Sequence, residues 1–460
     1  LLLASGLFST GAFAQNRVLT FEDFNAIVKQ HHPVAQQAEL QLKRGEASVQ
    51  MARGAFDPKV GTDVGQKYYK GDQYYSLIDA GLKVPTWFGI ELNAGYEQNG
   101  GLFLNPENST SGGGLVYAGI TLPVGRGLFI DERRAELRKA QIFQKSTVVE
   151  QRLMMNELLY DAGKAYWNWF EAFQVLTVYQ EVVNLAQLRL EAVRQEAYAG
   201  DRSAIDTVEA GIQWQNRQLG LKQAQLNFKN ATARLSIFLW QQGQVPLEIV
   251  EGTVPVGREE VSAVTTDAEQ VLQIDSVISD HPYLRQFRYR IDQMRIERKV
   301  KLEQFKPQVD LKYNALSQVV GSSPFSDLSP NNLTWGLQFS MPIPLRKERG
   351  ALRLTDIKLQ ETDLKVVDQQ AVINAKAQIA INELETTFDQ AVLYRQTVAD
   401  YSRLLDGERQ KFEAGESSLF LLNAREVGFI ETRIKYVELL AKNQQAELNV
   451  RYSLGIVADD

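Results

Sequence analysis

The chain has 460 residues, a formal net charge of −6 and no cysteine. Its length admits one large domain or two medium ones, and its acidic balance without a basic tract argues against nucleic-acid binding. The lack of thiols excludes disulfide staples, thiolate metal sites, cysteine nucleophiles and lipidation at an N-terminal cysteine.

The first residues, LLLASGLFSTGAFAQ, join an apolar run to the small-residue pattern Ala12-Phe13-Ala14. This reads as the back half of a secretory signal peptide, so residues 1–14 are expected to be a signal remnant and the mature chain to be exported. No later stretch approaches the roughly 20 apolar residues of a membrane-spanning helix. A β-barrel stays open, because alternating strands carry a weak hydropathy signal.

A polar, helix-forming segment follows, punctuated by His32-Pro33 and closed at Pro58. Proline suits a first helical turn, where its missing N–H costs nothing. His31, His32 and His281 therefore read as boundary residues, and no HxxxH or HExxH spacing proposes a metal site. Four strand-like stretches come next, 59–69, 74–84, 88–98 and 115–123. In the third, Ile90, Leu92, Ala94 and Tyr96 alternate with Glu91, Asn93, Gly95 and Glu97, the period of a half-buried strand. The Tyr-rich turn Tyr68–Tyr75 reads either as a hairpin tip or as an interfacial aromatic girdle. NGGLFLNPENSTSGGG (99–114) reads as an exposed loop. Gly112-Gly113-Gly114 lacks the Lys-Ser/Thr of a phosphate-binding loop.

Pro123 marks the strand exit, and a helical run over Asp131–Ala199 follows, rich in Ala, Leu, Gln, Glu, Arg and Lys. Such a rod is about 100 Å long at 1.5 Å per residue and needs long lateral partners. Its aromatics Tyr166, Trp167, Trp169, Phe170 and Phe173 read as packing between helices, with a drug-binding patch as the lesser reading. Arg133, Arg134, Arg138 and Lys139 read as lipid head-group contacts or plain solvated charge. Gly200 breaks the run, helix resumes near Ser203, and 241–265 reads as a linker and equatorial segment.

The second half repeats the first. His281-Pro282 and Pro307 follow His32-Pro33 and Pro58 at a spacing of 249, and Gly415 follows Gly200 at 215. Two strand-like stretches, 308–319 and 333–341, flank the loop 320–332. In the latter, Leu333, Trp335, Leu337, Phe339 and Met341 alternate with Asn332, Thr334, Gly336, Gln338 and Ser340. Pro342 marks this exit, a long helix is expected over Ala351–Ala414, and helical sequence resumes near Ser418. The chain divides into a first helix-strands-helix repeat (15–240), the linker and a second repeat (266–460), with barrel strands within 59–123 and 308–341. The alternation fits lipid outside and a wet lumen inside, with strands of about ten residues; a soluble sandwich would give the same alternation, and export, charged inward residues and the attached rods favour the barrel.

The order and duplication of Leu19–Asp23, His32-Pro33, Ala52–Pro58, Leu122–Gly127, Gly200 with Asp206–Ala210, and Gly415 with Leu421–Arg425 resemble the TolC-like outer-membrane factor family over essentially the whole mature chain. The resemblance implies a mixed α/β membrane protein, with outer-membrane β-barrel strands and very long coiled helices forming a periplasmic α-barrel. It also implies a homotrimer in which four strands per protomer complete a twelve-stranded pore. The implied partners are a periplasmic adaptor (membrane fusion) protein, an inner-membrane RND, ABC or other pump, and outer-membrane lipid. The implied function is passive export of small molecules, metal ions or polypeptides in tripartite efflux or type I secretion, with no cofactor and no enzymatic chemistry. The extra strand-like sequence of the first repeat reads either as a hairpin outside the barrel wall or as long strands bent at Pro85. Gly200 and Gly415 would form the periplasmic helix-turn tips. Asp201, Asp206, Asp406, Glu413 and Glu416, near those tips, are candidates for the aperture or the adaptor contact, where threefold repetition of carboxylates would favour cations. The alternative is a non-transporting periplasmic coiled-coil scaffold or adaptor.

Overall fold

The computed structural model describes residues 17–250, 252–265, 277–318, 329 and 331–459. The signal-like segment 1–14, the stretch 266–276 and most of the loop 320–332 lie outside the described residues. In chain order the elements are β1 (Val18–Leu19), α1 (Phe21–His31), α2 (Pro33–Arg53), β2 (Lys59–Tyr69), β3 (Asp72–Pro85), β4 (Glu91–Gly100), β5 (Leu115–Pro123), α3 (Glu132–Ala199), α4 (Ala204–Ser236), β6 (Trp240–Gln241), β7 (Val245–Pro246), β8 (Val254–Pro255), α5 (Pro282–Glu303), β9 (Gln308–Gln318), β10 (Leu333–Ser340), α6 (Arg346–Glu413) and α7 (Leu419–Leu454). Short 3₁₀ turns punctuate the loops.

The helix starts follow from local chemistry. Thr20 caps α1 by accepting from the Asp23 N–H at 3.1 Å. Pro33 and Pro282 are the first residues of α2 and α5. The two long helices α3 and α6 have 68 residues each, and α6 begins at Arg346, earlier than the expected Ala351 because the charged RKERG segment is itself helical.

The chain forms two compact units, one from the described residues of 1–40, 150–282 and 369–460 and the other from those of 41–149 and 283–368. In the first, the core gathers Phe24 and Val28 of α1, Leu159, Ala162, Tyr166, Trp169 and Phe170 of α3, Leu235 of α4 and Ala441 of α7, all nearly or fully buried. Short strands tie the connecting segments to this core. β1 pairs in parallel with β8, and β6 pairs with β7. The Asn443 side chain receives the Val264 N–H at 2.7 Å and donates to the Val264 carbonyl at 2.9 Å.

The second unit holds a six-stranded antiparallel sheet in the order β10-β9-β5-β4-β3-β2. β2 and β3 join through the two-residue turn Lys70-Gly71, with φ of 55° and 89°. That handedness matches the strand twist. Pro85 ends β3, and a turn over residues 86–90 leads into β4, so the first repeat supplies four separate strands rather than long strands bent at Pro85. The sheet holds six strands, two more than the four barrel strands per chain that the resemblance implies. Parts of α2, α3, α5 and α6 complete this unit. The Gln293 amide donates to the Lys139 carbonyl at 3.4 Å, and Arg298 pairs with Asp356 at 2.6 Å.

Candidate functional site

Strand register decides what each face of the sheet presents. Val60 is paired with Leu82, Leu82 with Ala94, Leu92 with Ile120, Ile120 with Tyr313, and Tyr313 with Trp335. Directly paired residues point to the same side, so these form one apolar face that crosses all six strands. It stays open: Val60 is 81% exposed, Trp335 69% and Leu337 61%. An unbroken exposed apolar surface of this extent marks contact with something other than water. Among the described residues no helix is long and apolar enough to cross a membrane; the apolar surface lies on the sheet instead.

The opposite face carries Lys59, Asp63, Lys83, Asp79, Asn93, Glu97, Thr121, Lys312 and Gln338, again in register. Polar groups there bond to one another. The Asn93 amide donates to Thr121 Oγ1 at 2.8 Å, and the Tyr117 hydroxyl donates to Asp79 Oδ1 at 3.0 Å. To reach Asp79 the Tyr117 ring lies across the glycines of two neighbouring strands. A Cβ on Gly95 would stand 2.5 Å from that ring and one on Gly81 2.8 Å from its hydroxyl, so only glycine leaves room. Aromatic side chains collect at both ends of the strands. Tyr68, Tyr69, Tyr74 and Tyr75 flank the β2–β3 turn, and Trp87 and Phe88 occupy the β3–β4 turn at the opposite end.

Both strand exits lead directly into a long helix. Pro123 ends β5 in register with Asp310, and the Val124 N–H donates to the Val309 carbonyl at 2.7 Å. Pro342 lies two residues beyond the end of β10. Arg133 pairs with Glu91 at 3.5 Å, and Arg134 donates to the Leu128 carbonyl at 3.2 Å and contacts Asp131 and the Gly127 carbonyl. These two arginines fasten the exit to the helix start.

In the other unit the two glycine turns have the same construction. Gly200 and Gly415 take φ of 85° and 79°, a region glycine enters at little cost. The Gly200 N–H donates to the Ala197 carbonyl and the Asp201 N–H to the Glu196 carbonyl at 2.9 Å. Likewise the Gly415 N–H donates to the Phe412 carbonyl and the Glu416 N–H to the Lys411 carbonyl at 2.8 Å. Each is the double bond pattern of a Schellman cap. Ser203 and Ser418 then open α4 and α7, and Ser418 accepts from the Leu421 N–H at 3.3 Å. Asp201, Asp406, Glu413 and Glu416 are exposed, Asp206 is half-buried in the first turn of α4, and Asp406 is 4.0 Å from Arg409. The carboxylates sit among cations: Arg202 pairs with Glu196 and lies over the Phe412 ring at 4.3 Å.

A polar network near these turns escapes a reading of the sequence. Arg189 of α3 grips Glu426 of α7 through two hydrogen bonds of 2.7 and 3.1 Å. It also donates to Asn423 at 3.3 Å, and Asn423 in turn donates to Glu209 of α4 at 3.0 Å. The Glu426 side chain is nearly buried. Arg189 precedes Gly200 by eleven positions and Glu426 follows Gly415 by eleven; that mirrored spacing of opposite charges is the one signal by which sequence could have paired them.

The other singled-out residues are structural. His32 is buried, its Nδ1 accepts from the Val34 N–H at 3.1 Å, and burial lowers its pKa. His281 is buried beside Gly455. The aromatics of α3 are core residues, with the Tyr166 hydroxyl donating to the Leu19 carbonyl at 2.8 Å and Trp169 Nε1 to Thr232 Oγ1 at 3.0 Å. That leaves no open aromatic patch at Tyr166, Trp169 or Phe170. Among the described residues no group of three His, Asp or Glu side chains is placed to hold a metal ion.

Residues 27–239 and 273–456 match the outer membrane efflux protein family. The chain belongs to that family. A comparison with curated protein sequences finds no match. Solved structures share the family fold at low identity. The channel-forming protein CusC is 13% identical, with 97% of this chain and 95% of that one covered and a TM-score of 0.67. The CmeC outer membrane channel of Campylobacter jejuni is 12% identical, with 99% and 93% covered and a TM-score of 0.62. The MtrE outer membrane channel of Neisseria gonorrhoeae, solved in its open state, is 12% identical, with 95% and 88% covered and a TM-score of 0.67. The two matched stretches of this chain correspond to the two halves of the internal duplication. Each half contributes strands to the sheet and one of the two Schellman-capped turns.

Proposed function

We propose that this efflux protein is one protomer of a homotrimeric channel in the Gram-negative outer membrane. Its long helices extend into the periplasm, and it exports small molecules, metal ions or polypeptides passively in a tripartite efflux or type I secretion system. The observation that carries this reading is the six-stranded sheet with one continuous exposed apolar face and one polar face. Lipid covers the first and a wet lumen faces the second. Strands of 8 to 14 residues suit the hydrocarbon thickness of an outer membrane, and the aromatics at both strand ends suit its two interfaces.

The turns at Gly200 and Gly415 are the periplasmic tips in this reading. Asp201, Asp206, Asp406, Glu413 and Glu416 would line the aperture or meet a periplasmic adaptor, which couples the channel to an inner-membrane RND, ABC or other pump. The pump supplies the energy and the channel performs no chemistry. Three copies of the exposed carboxylates favour cations at the mouth. Arg189 bonded to Glu426 and Asn423, and Asn423 bonded to Glu209, hold α3, α4 and α7 together near the turns. An adaptor favours the open state by binding it more tightly than the closed one.

The test is single-channel conductance of detergent-purified protein in planar bilayers, with its mass measured in the same detergent. A trimeric mass and discrete current steps are expected. A monomer that never inserts would overturn the channel and leave a periplasmic scaffold or adaptor.

A further inference from the structure

The sheet does not close on itself. Among the described residues β2 pairs only with β3 and β10 only with β9, which leaves one free backbone edge at each end of the six strands. The edge strands have 11 residues in β2 and 8 in β10. β10, LTWGLQFS, contains neither charge nor proline and is exposed along its whole length. An unguarded edge of that kind is a template for strand addition, and in a membrane its unpaired N–H and C=O groups are not tolerated.

We propose that the occupant of each edge is a second copy of this chain: β2 of one protomer pairs with β10 of the next, and three copies close a barrel of eighteen strands. The proposal rests on the trimeric reading above and departs from the twelve strands that four per protomer would provide.

Two features of the chain favour this closure. First, neighbouring strands alternate in direction across the sheet, so with six strands β2 and β10 run oppositely. A rotation that brings one edge to the other makes an antiparallel seam, and the total stays even, as in bacterial barrels of this kind. Second, both edge strands carry the apolar and polar faces of the interior strands. Val60 and Val64 continue the apolar face at one edge, as Trp335 and Leu337 do at the other. A β2–β3 hairpin lying off the wall would have no reason to keep that face. With strands about 4.8 Å apart and tilted about 40°, eighteen strands enclose a backbone diameter of about 36 Å, against about 24 Å for twelve. Barrels of that strand number hold an aqueous channel.

Because facing must be conserved across the seam, the pairing places Gly61, Asp63 and Gly65 opposite some of Thr334, Gly336, Gln338 and Ser340, and never opposite Leu337. The natural chain has no cysteine, so introduced thiols report without background. Asp63→Cys is combined in turn with Thr334→Cys, Gly336→Cys, Gln338→Cys and Ser340→Cys in the full chain, and the detergent-purified protein is mildly oxidised. Single-cysteine parents must keep the native mass and conductance. At least one same-face pair is expected to give covalent dimers and trimers on a denaturing gel, whereas Asp63→Cys with Leu337→Cys stays monomeric. If the hairpin lies off the wall, β4 becomes the edge, and cross-linking of Gln338→Cys to Asn93→Cys or Gly95→Cys overturns the proposal. A trimeric native mass with no β2–β10 cross-link in any same-face pair also overturns it while leaving the channel intact. A monomeric native mass overturns both.

Discussion

Two apolar regions of this protein have opposite fates. Around Trp169, aromatic side chains of α3 are enclosed by α1, α4 and α7, and Tyr166, Trp169 and Phe170 are fully buried. On the sheet, Val60, Trp335 and Leu337 stand open across six strands. Hydrophobicity alone does not separate them. The first set has rings packed 5.2 to 6.2 Å apart in edge-to-face and stacked pairs, and its Tyr166 hydroxyl and Trp169 indole N–H both find acceptors. The second lies open, with Tyr313 and Trp335 on the same face as Val60 and Leu337. One is built to exclude water by packing against protein and the other to meet an apolar solvent.

The core should be the more sensitive of the two. Trp169→Ala removes a buried indole, leaves a cavity and strips Thr232 of its donor. A loss of about 3–5 kcal/mol is expected, read as a fall in denaturation midpoint of the detergent-solubilised protein. Trp335→Ala should change that midpoint little. Equal losses at the two tryptophans would mean that both regions are protein core and would undo the contrast.

The sheet is broken by charge rather than by truncation. Leu337→Arg places a guanidinium on the apolar face and should cost about 2–4 kcal/mol in a bilayer, seen as reduced assembly into outer membranes. Gln338→Arg, one residue on and on the other face, should assemble normally and shift single-channel selectivity toward anions. If both variants assemble equally well, lipid does not cover the Leu337 face.

A smaller effect belongs to the enclosed unit alone. Burial, with Arg152 and Lys376 nearby, pushes the His281 imidazole down to about 4 from its ordinary 6.5. Between these values the unfolded chain binds more protons than the folded one, so the contribution is complete above pH 6.5 and is lost as pH falls toward 4. His281→Gln keeps a hydrogen-bonding side chain that cannot charge. The midpoint of the natural protein should fall relative to that of the variant over this window, and parallel curves would show that His281 is not held neutral by burial.

The duplication, the helix breaks at Gly200 and Gly415 and the alternation of the strands were legible in the sequence, because each is a local pattern that backbone geometry enforces. Period two assigns a face to every strand residue and glycine marks a left-handed turn. The strands showed which residues share a face but not what lies against it, since lipid and a protein core demand the same alternation. That the strands of the two repeats share one sheet was not legible either, because hydrogen bonding between β5 and β9 joins residues nearly 200 positions apart. The Arg189–Glu426 pair was hidden for the same reason, its members being 237 positions apart.

The smallest expected effect on stability is at the capped turns, where it separates fold from function. Glu413 and Glu416 are exposed on either side of Gly415, and the cap itself uses only backbone groups. Replacing both with Gln leaves every bond of the cap in place, so stability should stay within about 0.5 kcal/mol. If these carboxylates line the aperture, the double variant should still form trimers and conduct, but its reversal potential in a salt gradient should move toward that of a non-selective pore. The shift should be larger at low ionic strength, where charges several ångströms from the ion path are less screened. An unchanged reversal potential at low salt would place the ion path away from the Gly415 turn and leave these residues to the adaptor contact or to plain solvation.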